Sequence, residues 1–70
     1  MEVRQRLAQN LKRLRMQKGW SQESFAFEAQ VHWTYISDLE RGARNPTITL
    51  VEKLAKPFGL TASELLGEPR

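Results

Sequence analysis

The chain has no cysteine, which excludes a disulfide framework and any zinc site built on thiolates. Its single histidine, His32, is too little for a histidine-built metal site. No apolar run approaches the ~20 residues that cross a bilayer, and the N-terminus lacks the apolar centre of a signal peptide. Internal repeats and low-complexity tracts are missing. So are a carboxylate pair, a nucleophile beside a base and a glycine-rich phosphate loop. Asp38 and Glu40 lie two apart on one predicted helix and point to different sides, so they make no dyad. The expectation is a cytoplasmic, non-enzymatic domain with neither metal nor cofactor. Seventy residues suffice for one domain, with a core so small that good packing or self-association must support it.

What is present is unevenly charged. The formal net charge is +3. Residues 1–19 carry six basic side chains against one acidic, residues 20–40 carry four acidic and none basic, and residues 41–46 add Arg41 and Arg44. If the partner is a polyanion, attraction must come from the N-terminal helix and the segment after Arg41, with helix N-termini contributing. The bland alternative, a solvated basic face, weighs about equally residue by residue.

Residues 21–42 read as two short helices joined by a tight turn. Ser21 is placed as an N-cap, and Trp20 and Phe25 have the spacing of a hydrophobic staple. The first helix runs about Gln22 to Ala29, with Phe25, Ala26 and Ala29 inward. Gln30, Val31 and His32 form the turn. The second helix runs about Trp33 to Arg41 and stops at Gly42, a natural C′ residue. Ile36 and Leu39 face inward. Trp33, Thr34, Ser37, Asp38 and Arg41 share the outer face, which offers a ring, hydroxyls and a carboxylate where a plain surface helix would carry Lys and Glu. Such groups suit base edges.

A first helix is expected over about Glu2 to Lys18, with Val3, Leu7, Leu11 and Leu14 inward and Gly19 as its stop. Thr47 caps a fourth helix from Ile48 to about Lys56, with Ile48, Val51, Leu54 and Ala55 inward, and Pro57 ends or kinks it. Thr61 and Glu64 have capping-box spacing for a short fifth helix, about Ala62 to Leu66. Residues 67–70 read as a disordered tail.

The ordered run Ser21-Gln22-Glu23, Ala26, Val31, Tyr35-Ile36-Ser37, Leu39-Glu40-Arg41-Gly42 and Arg44-Asn45-Pro46 resembles the Cro/cI-type helix-turn-helix, or XRE, family. The closest likeness is to restriction-modification controller proteins and small phage repressors, and it covers roughly Val3 to Leu66. The resemblance implies an all-α, compact five-helix, lambda-repressor-like domain over residues 1–66, with the helix-turn-helix at about 21–42. It implies a reading helix at about 33–41 in the major groove of double-stranded DNA, and a homodimer on a palindromic operator.

It also implies roles. Arg15 and Glu40 should form a partly buried structural ion pair. Gln22, Tyr35, Arg41, Arg44 and Asn45 should contact phosphates. His32, Trp33, Thr34, Ser37 and Asp38 are the expected base-contacting set. His32 stands where the family prefers a Ser cap and, as a poor cap, should reach a phosphate or a base or turn outward. Trp33 stands where controllers often carry Arg, and either touches a thymine methyl or sugar or folds back on the domain. Asp38 either accepts from a cytosine amino group or pairs with Arg41. Phe27 should face solvent, covering the first helix or reaching a partner. Phe58, Leu60, Leu65 and Leu66 should both close the core and form a dimer interface. The main reading is a sequence-specific transcriptional regulator. The alternative is an antitoxin or other protein-interaction module that binds a partner protein and autoregulates its operon.

Overall fold

Helix boundaries follow the punctuation in the chain. In the computed structural model, which describes residues 2–68, the elements are α1 (Val3–Gln17), α2 (Gln22–Ala29), α3 (Trp33–Glu40), α4 (Ile48–Ala55), a 3-10 turn (Lys56–Phe58) and α5 (Ala62–Leu66). No strand occurs among the described residues. Glu2 and Lys18, expected inside the first helix, are its caps. Arg41 is likewise the C-cap of α3, and Gly42 after it takes φ 71°. Pro57 has no amide hydrogen to continue an α-helical ladder, so the chain after Ala55 tightens into the 3-10 turn.

Each helix start has its own polar partner. Ser21 Oγ accepts from the Ser24 amide at 3.0 Å. Thr47 Oγ1 accepts from Leu50 at 3.1 Å. Thr61 and Glu64 complete a reciprocal capping box, with 3.1 and 3.0 Å bonds. The Trp20 and Phe25 rings stack at 6.1 Å, and Phe58 tilts against both at 5.7 and 5.0 Å. This aromatic cluster fastens the entry of α2 to the 3-10 turn.

Leu11, Phe25, Ile36, Leu39, Leu54 and Leu65 are fully buried at the centre. Leu65 therefore offers nothing to a dimer partner, contrary to its expected second role. Phe58 is largely committed to Trp20 and Phe25, while Leu60 and Leu66 remain half-buried. Val3 and Ile48, expected inward, are exposed, Ile48 by 78%. Both are the first residue of a helix. The helical period gives the direction of a side chain but not whether another element covers it, and here both residues line an open groove with Leu7, Pro46, Val51 and Leu66.

The chain end is also more ordered than a free tail. Asn10, buried on α1, donates through Nδ2 to the carbonyls of Leu65 (2.7 Å) and Gly67 (2.9 Å). Arg6 Nε donates to the Leu66 carbonyl at 3.0 Å, and its guanidinium pairs with Glu68 at 3.5 Å. These side chains satisfy carbonyls that α5 leaves open at its C-terminus. Residues 67 and 68 are thus tied to α1; the rest of the expected tail, residues 69 and 70, lies outside the described residues.

Candidate nucleic-acid interface

The turn between α2 and α3 sets the direction of the exposed helix. Gln30 takes the left-handed conformation at φ 59°, and the Val31 amide returns to the Ala26 carbonyl at 3.0 Å. Any residue with a Cβ is strained there. The sequence had no glycine to mark this position, so the left-handed residue was not legible.

α3 is pinned from behind. Ile36 and Leu39 are buried, and Glu40 at its end meets Arg15 in a bidentate pair with 2.7 and 3.0 Å bonds. Arg15 also donates to the Trp20 carbonyl at 2.8 Å. The hydrogen bond to Glu40 raises the Arg15 pKa above its ordinary value, so this cation is permanently charged. Gln22 joins the same carboxylate, donating Nε2 to Glu40 Oε1 at 3.2 Å. One buried carboxylate thereby ties the end of α1, the start of α2 and the end of α3.

The outer side of α3 begins with His32. It caps the helix after all: Nδ1 accepts from the Thr34 amide at 3.2 Å and lies 2.7 Å from Thr34 Oγ1. The sequence expectation failed because an imidazole nitrogen two residues back reaches an open amide as a short hydroxyl does. The His32 and Trp33 rings stack at 6.2 Å with 25° between planes. Trp33 is 47% exposed, with its ring on His32 and not among the core aromatics. Thr34 is exposed beside them, and Ser37 is half-buried one turn on.

At the far end, Asp38 is enclosed by two guanidiniums. Arg44 Nε donates to Oδ2 at 3.1 Å, and Arg41 Nη2 donates to Oδ1. Arg44 first, and Arg41 with it, hold the Asp38 carboxyl below the usual carboxylate range. Of its two sequence readings, the ion pair is the one formed here, and it includes Arg44 as well as Arg41. The Arg44 guanidinium also lies 4.7 Å over the half-buried Tyr35 ring. That contact joins α3 to the loop after it, and no pattern in the sequence announces it. Asn45 is exposed in the same loop.

His32, Trp33, Thr34 and Ser37 thus line one ridge, Tyr35, Asp38, Arg41 and Arg44 form its charged end, and Gln22 stands beside it at the Glu40 junction. The expected interface residues are elsewhere. Leu66 lines a shallow apolar groove with Val3, Leu7, Pro46, Ile48 and Val51. On α2, Phe27 is 81% exposed. No helix among the described residues is long and apolar enough to cross a membrane.

Residues 11–65 match the family model described as helix-turn-helix (HTH_3). The chain is 42% identical over 65 residues to Control protein C.BamHI of Bacillus amyloliquefaciens, across 91% of this chain and 80% of that one. Among solved structures, the hypothetical transcription factor NHTF from Neisseria superposes with a TM-score of 0.92 at 38% identity, covering 97% of this chain and 78% of that one. The restriction-modification controller protein C.AhdI from Aeromonas hydrophila gives a TM-score of 0.82 at 33% identity, covering 91% and 96% respectively.

Proposed function

The chain belongs to the HTH_3 family of helix-turn-helix domains, and from that premise we propose that it is a cytoplasmic, sequence-specific DNA-binding transcriptional regulator acting as a homodimer. The observation that carries this reading is the outer face of α3. Two rings, two hydroxyls and an arginine-held carboxylate stand on a short helix whose inner face and end are locked to α1 and α2. A helix of this size enters the major groove, and those groups meet base edges.

In the proposed complex, His32, Trp33, Thr34, Ser37 and Asp38 face the bases. Gln22, Tyr35, Arg41, Arg44 and Asn45 face phosphates on either side. The acidic balance of residues 20–40 makes this division necessary: affinity comes from the flanking cations, while α3 supplies discrimination. Two copies would set reading helices about 34 Å apart on a palindromic operator. The exposed Val3 and Ile48, with the half-buried Leu66 beside them, support such pairing better than the C-terminal leucines as a group, since Leu65 is interior.

The exposed ring of Phe27 favours a second reading, a module that docks a partner protein in the manner of an antitoxin and autoregulates its operon. Selection of bound sequences from a random duplex pool, with the mass of the complex measured by light scattering, separates the two. A palindromic consensus bound by two copies is the expected result. Absence of enrichment, with binding that vanishes at moderate salt, would sink the regulator reading in favour of the docking module.

A further inference from the structure

We infer that Thr34 reads its base only as a hydrogen-bond acceptor, selecting adenine or cytosine through the exocyclic amino group, and that His32 is the positioning residue that imposes this polarity. The inference rests on the proposal that α3 reads the major groove.

The argument is one of proton positions. The Thr34 amide, one of the open donors at the start of α3, points at His32 Nδ1 at 3.2 Å. That nitrogen must therefore present a lone pair, which puts the ring proton of the neutral imidazole on Nε2. The Thr34 hydroxyl oxygen lies only 2.7 Å from the same Nδ1. Two lone pairs at that distance repel, so the hydroxyl proton lies between them and Oγ1 donates to Nδ1. The reverse arrangement, a proton on Nδ1 directed at Oγ1, would leave the Thr34 amide facing an N–H group.

Thr34 is exposed on the reading face, and its one hydroxyl proton is now spent within the protein. Only acceptor lone pairs remain for DNA. In the major groove, adenine N6 and cytosine N4 donate, whereas guanine offers N7 and O6 and thymine offers O4 and a methyl group. A threonine is ordinarily permissive because its hydroxyl rotates to suit either kind of partner. Here that rotation is fixed by the cap. The stacking of the His32 ring on Trp33 holds it in place. His32 Nε2–H, on the side of the ring away from Thr34, is left as a donor for a different acceptor.

The test is parallel selection from a random duplex pool with the wild-type chain, Thr34→Ser, Thr34→Val and His32→Ala. Wild type and Thr34→Ser should enrich adenine or cytosine at one position of each half-site. Thr34→Val, which keeps the shape and loses the oxygen, should relax that position by about three- to tenfold, the worth of one hydrogen bond. His32→Ala should let guanine or thymine in at the same position, because the freed hydroxyl can donate again. His32→Gly, tolerated at a helix start and carrying no side-chain acceptor, guards against a His32→Ala chain too unstable to select and should admit guanine or thymine in the same way. A role in capping alone would lower the thermal midpoint and bind every duplex more weakly without changing the preferred base. Guanine or thymine at the position that Thr34→Val relaxes, or no relaxed position, overturns the inference. A wild-type pool without enrichment overturns the DNA-reading proposal beneath it, and that failure is recognisable before any variant is compared.

Discussion

Arg15 on α1 and Glu40 at the end of α3 face each other through two hydrogen bonds of 2.7 and 3.0 Å, with side chains only 13% and 5% exposed. The pair lies 25 residues apart in sequence, so it closes the domain rather than a single helix. Removing one partner leaves the other charge enclosed and unpaired, which costs about 3–5 kcal/mol when burial is complete and somewhat less here. Arg15→Met and Glu40→Leu should each lower the urea midpoint sharply, and the double variant should recover part of the loss. A double variant no more stable than the singles, measured by circular dichroism, would show that the pair contributes net stability rather than mutual neutralisation.

Glu40 also accepts from Gln22, which gives the pair a bearing on binding. Gln22→Leu removes one hydrogen bond to an enclosed carboxylate that Arg15 still holds, so it should lower stability by about 1–2 kcal/mol, less than either Arg15→Met or Glu40→Leu. It should weaken binding to all duplexes alike if Gln22 faces a phosphate. A change in base preference on Gln22→Leu would move this residue into the reading set.

Gln30 offers a test of the turn by itself. A non-glycine residue at φ 59° pays a steric cost of about 1–2 kcal/mol relative to the right-handed region. Gln30→Gly relieves it, offset in part by the greater freedom of glycine in the unfolded chain. A net gain of about 0.5–1 kcal/mol, or several degrees in thermal midpoint, is expected. An unchanged or lower midpoint would mean that the Gln30 side chain contributes contacts worth as much as the strain.

The helices were legible in the sequence because caps, glycines and prolines marked them: Ser21, Gly42, Pro57 and the Thr61–Glu64 box all sit at observed boundaries. The all-helical, five-helix arrangement could be read from the same marks together with the family resemblance. What escaped was decided by tertiary neighbours. Val3 and Ile48 fit the apolar period but line an open groove, and Asn10 breaks the apolar pattern yet is buried because α5 ends above it with open carbonyls. The ridge of α3 was visible as a list of residues. The bonds that orient it, His32 to Thr34 and Arg44 to Asp38, join side chains whose meeting depends on the turn and loop paths.

Asp38 carries the pH prediction. Its pKa in the folded chain is lowered, chiefly by Arg44 and then Arg41. A carboxyl with a depressed folded pKa stabilises fully above its unfolded value, near 3.9, and that stabilisation is lost as pH falls through the folded pKa. Wild type should therefore lose a component of stability below about pH 4 that Asp38→Asn lacks. The two midpoints should converge on acidification. Parallel curves down to acid unfolding would show that the guanidiniums do not bias this carboxyl.

Ile48 carries the last prediction, on assembly. An isoleucine 78% exposed at a helix start, bordering a groove with Val3, Pro46 and Leu66, is an apolar surface that a monomer gains nothing by showing. Placing a charge there costs the folded monomer little, because the side chain already meets water. In a symmetric dimer the same residue appears on both sides of the axis, so one substitution introduces two like charges at close range. Ile48→Glu should thus leave the thermal midpoint of the dilute monomer nearly unchanged while reducing the mass seen by light scattering from two chains to one. Operator binding should become weaker and lose its cooperativity, since each half-site is then filled independently. A variant that still scatters as a dimer would remove this rim from the interface and send the search to the half-buried Leu60, which borders a separate groove with Asn10 and Ser63.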